Sequence, residues 1–192
     1  MQPKILAFAG SAREDSLNKK LARVAAAALR EAGARPTFID LRDYALPLYD
    51  GDLEAAQGVP GNALELKRLF REHDGLLVVS PENNGSVSAL LKNTLDWISR
   101  PHAGESGTVP FQGKVAALLA ASPGALGGLR GLVHVRAILQ SLGVLVLAEQ
   151  FALSRAHEAF DASGALKDER QQASVAALAA RLTQVTGRLA AQ

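Results

Sequence analysis

Three stretches of this chain, Ile5-Leu6-Ala7-Phe8-Ala9, Leu76-Leu77-Val78-Val79 and Val115-Ala116-Ala117-Leu118-Leu119-Ala120-Ala121, are apolar at every position. A strand with one wet face alternates apolar and polar residues, so unbroken runs of this length predict strands covered on both faces, as in the middle of a parallel sheet. Each run is followed by a polar or small-residue loop and then by apolar residues at helical spacing. Leu21, Val24, Ala25, Ala28 and Leu29 follow the first, Val87, Leu90, Leu91, Leu95 and Ile98 the second, and Leu132, Val135, Leu139 and Leu142 the third. Parallel strands require such crossovers, and their right-handedness leaves few topologies.

The remaining elements fit the same rhythm. Arg35-Pro36-Thr37-Phe38-Ile39-Asp40-Leu41 reads as the second strand in chain order, near an edge because Pro36 has no N–H to give a ladder. Pro60 opens a helix with Leu66, Leu69 and Phe70 on its inner side, Val144-Leu145-Val146-Leu147 reads as the fifth strand, and Val175, Leu178, Leu182, Val185 and Leu189 stripe a last helix. The expected fold is α/β: a flavodoxin-like, doubly wound open sheet of five parallel strands in order 2-1-3-4-5, with helices on both faces. At 192 residues a single domain over residues 1–192 is expected, burying about 70% of the surface of its unfolded chain. The segment from Asp43 to Asp52 holds both tyrosines, Tyr44 and Tyr49, and reads as a loop, packed for stability or serving as a lid or subunit contact.

In such sheets ligands lie beyond the carboxyl ends of the strands, where the strand order reverses. Gly10-Ser11-Ala12-Arg13-Glu14-Asp15-Ser16-Leu17-Asn18 occupies that place after the first strand and opens a helix, whose free N–H groups and dipole favour an anion. Ser11, Ser16 and Asn18 can donate hydrogen bonds, Arg13 can form a charged fork, and Gly10 allows a tight turn. An Arg–phosphate bond contributes on the order of 1.5–3 kcal/mol and the dipole roughly 0.3–1 kcal/mol. The alternative is a plain loop in which Ser16 caps the helix and Arg13 faces solvent. The nucleoside-triphosphate pattern G-x-x-x-x-G-K-[ST] and the dinucleotide pattern G-x-G-x-x-G are both missing, so a single terminal phosphate suits the loop best.

Composition closes other routes. The chain has no cysteine, which removes disulfides, thiolate nucleophiles and cysteine-held metal centres, so redox chemistry would need a bound cofactor. His73, His102, His134 and His157 are scattered and read as surface or helix-terminal residues, with no metal site and no Ser/His/Asp arrangement. The 21 basic and 19 acidic residues are interspersed, which gives nucleic-acid binding no support. No apolar run reaches the roughly 20 residues of a membrane span. The start, Met1-Gln2-Pro3-Lys4, has no signal-peptide anatomy, so a cytoplasmic setting is the expectation.

Two further loops carry the reading past generic fold signals. Gly10-Ser11-x-Arg13-x-x-Ser16-x-Asn18, Ser80-Pro81-Glu82-x-Asn84-Gly85-Ser86 and Leu91-Lys92-Asn93-x-Leu95-Asp96-Trp97 together resemble the NADPH-dependent FMN reductase family, relatives of quinone, azo-dye and chromate reductases. The resemblance runs from about Lys4 to the fifth strand, and Ser122-Pro123-Gly124-x-x-Gly127-Gly128 falls where that family has its third flavin loop. It implies noncovalent FMN, with the phosphate on Ser11, Arg13, Ser16 and Asn18, the ring against Pro81, Glu82, Asn83, Asn84 and Gly85, and Ser122 in the third loop. Gly127 and Gly128 also fit a second role, close packing of helix on sheet.

The implied activity passes hydride from NADPH or NADH through flavin N5 to a quinone or a similar small-molecule acceptor, such as an azo dye, chromate or free flavin, by a ping-pong mechanism. A homodimer or homotetramer is implied as well, with Trp97 at a subunit contact or in the core. Asn83 stands where the family commonly has tyrosine in its P-E-Y-N loop. Asparagine tolerates left-handed turns, so the turn can survive without the aromatic ring. The rival readings are an FMN electron carrier or flavin sensor without nicotinamide turnover, and a nonflavin phosphate-ligand domain.

Overall fold

The computed structural model describes residues 2–190. Five parallel strands, β1 (Lys4–Ala9), β2 (Arg35–Asp40), β3 (Gly75–Val79), β6 (Val115–Ala121) and β7 (Leu145–Leu153), form one sheet in the order β2-β1-β3-β6-β7. Counted along the main sheet alone this is the expected 2-1-3-4-5. β2, which carries Pro36, is an edge strand. A separate ribbon of β4 (Glu82–Asn83) and β5 (Ser86–Val87) stands beyond the end of β3.

The unbroken apolar runs are divided between two cores, because alternate residues of a strand face opposite ways. Ile5, Ala7, Ala9, Leu77, Val79, Ala117 and Leu119 pack under α1 (Leu17–Glu31) and α6 (Glu169–Leu189). Leu6, Phe8, Leu76, Val78, Ala116 and Leu118 pack under α3 (Gly61–Glu72), α4 (Ala89–Ile98) and α5 (Leu129–Ser141). On this second face Phe70 meets Phe8 at 5.6 Å and Phe111 at 5.5 Å between ring centroids. Each such fully buried ring contributes roughly 1.5–3 kcal/mol by leaving water.

Several local expectations are corrected. α2 (Gly51–Gln57) occupies part of the stretch read as loop; none of its residues is buried, so it carries no apolar stripe to announce it. The tyrosine segment before it is tied down. Asn93 accepts from Tyr49 N–H at 2.8 Å and donates to Pro47 O, Trp97 Nε1 also donates to Pro47 O, and the Tyr49 hydroxyl donates to Glu54. Trp97 is wholly buried beside Tyr49, with ring centroids 5.0 Å apart, and so belongs to the core rather than to a subunit contact. β7 starts at Leu145 and continues to Leu153, past the end of the apolar run, with a register irregularity opposite Ala116–Leu118. No helix among the described residues is long and apolar enough to cross a membrane.

Candidate functional site

The carboxyl ends of β1, β3 and β6 converge on one cleft of about 380 Å³, a volume in the range of small-ligand sites. It is lined by Ser11, Arg13, Ser16 and Asn18 from the first loop, Pro81, Glu82 and Asn83 from the second, and Ser122 with Pro123 from the third. Asn84 and Gly85, expected at the same site, form the turn of the ribbon and directly follow Asn83 of the cleft lining.

The first loop is held from several sides. Gly10 N–H donates to Val79 O, and Ser88 Oγ donates to Gly10 O at 2.6 Å while accepting the N–H of Leu91. A Cβ on Gly10 would lie 2.9 Å from Leu91 Cβ, closer than carbon atoms pack, so glycine is what lets this loop meet α4. One turn into α1, Lys19 is buried and pairs with Asp40 at the end of β2 at 2.6 Å. Asn18 reaches in the opposite direction, donating through Nδ2 to Ala121 O and accepting Ala121 N–H at Oδ1, both at 2.9 Å. Ser16 is the N-cap of α1, its Oγ accepting Lys19 N–H, and its own hydroxyl proton is free to donate.

These donors fit a phosphate. Among the described residues the N–H groups of Leu17 and Asn18, in the first turn of α1, meet no protein acceptor, and the exposed Arg13 side chain makes no ion pair. Arg13 N–H turns inward to Ser11 Oγ at 3.3 Å, which shapes the loop around the helix end. Unmatched N–H groups, a helix dipole and a free guanidinium at one end of a cleft make an anion site.

The second loop is a two-residue hairpin. Asn84 (φ 51°) and Gly85 (φ 76°) take the left-handed positions, as the tight turn between twisted strands requires. Asn83 is strand, paired with Ser86, so its tolerance of left-handed backbone is not used and its exposed side chain is free to line the cleft. Ser88 caps the following helix. Glu82 lines the cleft with a buried carboxylate: burial alone would raise its carboxyl, but the Arg130 guanidinium and the Gly131 N–H outweigh it and hold the group below its ordinary value. His134, one of the four scattered histidines, stands against the hairpin with Nδ1 2.7 Å from Ser86 Oγ; only the folded topology brings it there. In the third loop Gly127 serves packing, since a Cβ there would lie 2.8 Å from the backbone of β7.

The sequence model of the NADPH-dependent FMN reductase family matches residues 3–158. The chain belongs to that family. It is 39% identical over 172 residues to an NAD(P)H-dependent FMN reductase of Pseudomonas aeruginosa, covering 87% of this chain and 86% of that one. It is 35% identical over 148 residues to a quinone reductase of Escherichia coli, covering 75% and 73% of the two chains. Among solved structures it superposes on a flavoenzyme NAD(P)H:(acceptor) oxidoreductase from Paracoccus denitrificans with a TM-score of 0.80 at 26% identity, over 97% of this chain and 98% of the other. As a member of the NADPH-dependent FMN reductase family the chain is an oxidoreductase that works with FMN and a reduced nicotinamide.

Proposed function

We propose that this cleft holds FMN, its phosphate at the loop from Ser11 to Asn18 and its ring against residues 81–85, and that the enzyme reduces quinones with NADPH or NADH in ping-pong order. One observation carries the reading: three loops far apart in sequence meet in a single cleft, with anion donors from the first loop and the β4–β5 hairpin in its lining. When bound, FMN supplies the hydride chemistry, accepting from nicotinamide and giving to the acceptor. The chain supplies position. Arg13 and the first turn of α1 hold the phosphate, Ser11 and Ser16 add hydroxyl donors, and Asn18 acts mainly by fixing α1 to β6. The backbone of Asn83, Asn84 and Gly85 offers hydrogen bonds to the ring edge, and Ser122 with Pro123 closes the far wall.

The cleft's open side admits the two substrates in turn, which suits a quinone and extends to azo dyes, chromate or free flavin. The chain acts as one FMN-binding domain, and a homodimer or homotetramer belongs to the same reading. Its support is Leu48, 80% exposed on the pinned tyrosine loop, and Val133, 58% exposed on α5. Purified protein incubated with FMN and freed of excess should be yellow, bleach when NADPH is added without oxygen, and regain colour on addition of benzoquinone. Yellow protein that NADPH does not bleach would make it a carrier or sensor; protein colourless after FMN treatment would point to another phosphate ligand.

A further inference from the structure

We infer that α5 clamps the β4–β5 hairpin through Glu82, Arg130, Gly131 and His134, and that Glu82 is a positioning residue whose carboxylate serves this clamp. The inference rests on the reading of the hairpin as the ring-binding loop.

A ribbon with two residue pairs, Glu82 with Val87 and Asn83 with Ser86, lies outside the main sheet and is too short to hold its own shape in water. Its shape comes from α5. Glu82 Oε1 accepts from Arg130 Nε at 2.8 Å and lies 2.5 Å from Nη2, and its Oε2 accepts the N–H of Gly131 at 3.2 Å. The carboxylate is 8% exposed and the arginine side chain 65%, so the buried partner is the one on the hairpin. An isolated buried carboxylate is costly, which makes the position of Glu82 depend on α5.

The helix is also bare where the hairpin rests. A Cβ on Gly131 would stand 3.1 Å from Ser86 O and 3.4 Å from Glu82 Cα, so both strands lie almost against the helix backbone. One turn later His134 meets Ser86 Oγ at 2.7 Å. Arg130 and His134, four residues apart on one helix face, thus grip the first residue of each strand, with Gly131 between them. Arg130, committed to Glu82, is not a free cation for a nicotinamide phosphate; the clamp's product is a fixed backbone from Asn83 to Gly85.

Hydrogen exchange on the FMN-free protein reads the clamp directly. Arg130→Ala should speed exchange of the hairpin amides on the order of tenfold or more while leaving β1 and β3 at wild-type rates, and Arg130→Lys should recover much of the protection. Gly131→Ala, which alters no charge but crowds Ser86 O, should act in the same direction, and Glu82→Gln should fall between. Hairpin exchange at wild-type rates in both Arg130→Ala and Gly131→Ala would overturn the clamp. With FMN bound, stopped-flow bleaching by NADPH should slow on the order of tenfold in Arg130→Ala, with FMN affinity nearly unchanged. Loosened amides with an unchanged bleaching rate would overturn the positioning role. If wild-type protein takes up no FMN, the flavin reading fails, and the exchange result still decides whether α5 holds the hairpin.

Discussion

Asn18, in the first turn of α1, and Ala121, the last residue of β6, exchange two hydrogen bonds of 2.9 Å across 103 residues of chain. The amide side chain acts as a missing strand partner: Nδ2 satisfies the carbonyl of Ala121 and Oδ1 its N–H. β3 lies between β1 and β6 in the sheet, so this contact spans a strand and sets the first loop against the third.

Asn18→Ala should therefore act on both stability and cofactor affinity. It leaves a buried N–H and C=O unpaired, which costs roughly 1–3 kcal/mol, visible as a lower midpoint in urea unfolding. FMN affinity should fall in the same variant, because the end of α1 is no longer fixed. An unchanged unfolding midpoint would contradict this role.

Lys114 predicts a pH effect far from the cleft. It is 6% exposed, and its ammonium donates to His73 O at the amino-terminal end of the sheet. Burial pushes it down from 10.5 to about 8, with Asp74 pulling weakly the other way. Between those values the unfolded chain holds the proton that the folded chain has released, so stability rises with pH across this window; below about 8 both states are charged and the penalty is present in full. Lys114→Met should lose the rise, which urea unfolding at pH 7.5, 9 and 10 reads as a wild-type-minus-variant difference that grows with pH. Parallel profiles would contradict it.

Asn83→Tyr should change nicotinamide kinetics more than FMN binding. The side chain lines the cleft from a strand position and is exposed, while Asn84 and Gly85 carry the turn, so a ring can be added without disturbing the backbone. Steady-state constants for NADPH that match the wild type would count against a role for this position at the nicotinamide face.

Much of this architecture was legible in the sequence because buried parallel strands are written as unbroken apolar runs, and because each ligand loop is a polar break at the end of one. Ser11, Arg13, Ser16, Pro81, Glu82, Asn83 and Ser122 meet where the strand order reverses. What stayed hidden had no local signal of that kind. α2 buries nothing, and its only marks are Asp50 as N-cap and Gly58 after its end. The hairpin is two pairs long, and its one mark is the Asn84-Gly85 dipeptide, a turn signal that the helix-like spacing from Val87 onward obscured. The partners of Glu82 lie 48 and 49 residues away on α5 and that of Ser86 48 residues away, a distance that only the topology closes. The side-chain contact of Asn18 with Ala121 is equally remote, 103 residues along the chain.

Titration of FMN beside riboflavin, which lacks the phosphate, reads whether the loop from Ser11 to Asn18 binds that phosphate. In wild-type protein FMN should bind far more tightly than riboflavin. In Arg13→Ala the FMN affinity should fall roughly ten- to hundredfold, with riboflavin binding little changed, so that the two ligands approach each other. Equal affinities for FMN and riboflavin in the wild type, or FMN binding in Arg13→Ala at the wild-type level, would contradict phosphate binding by this loop.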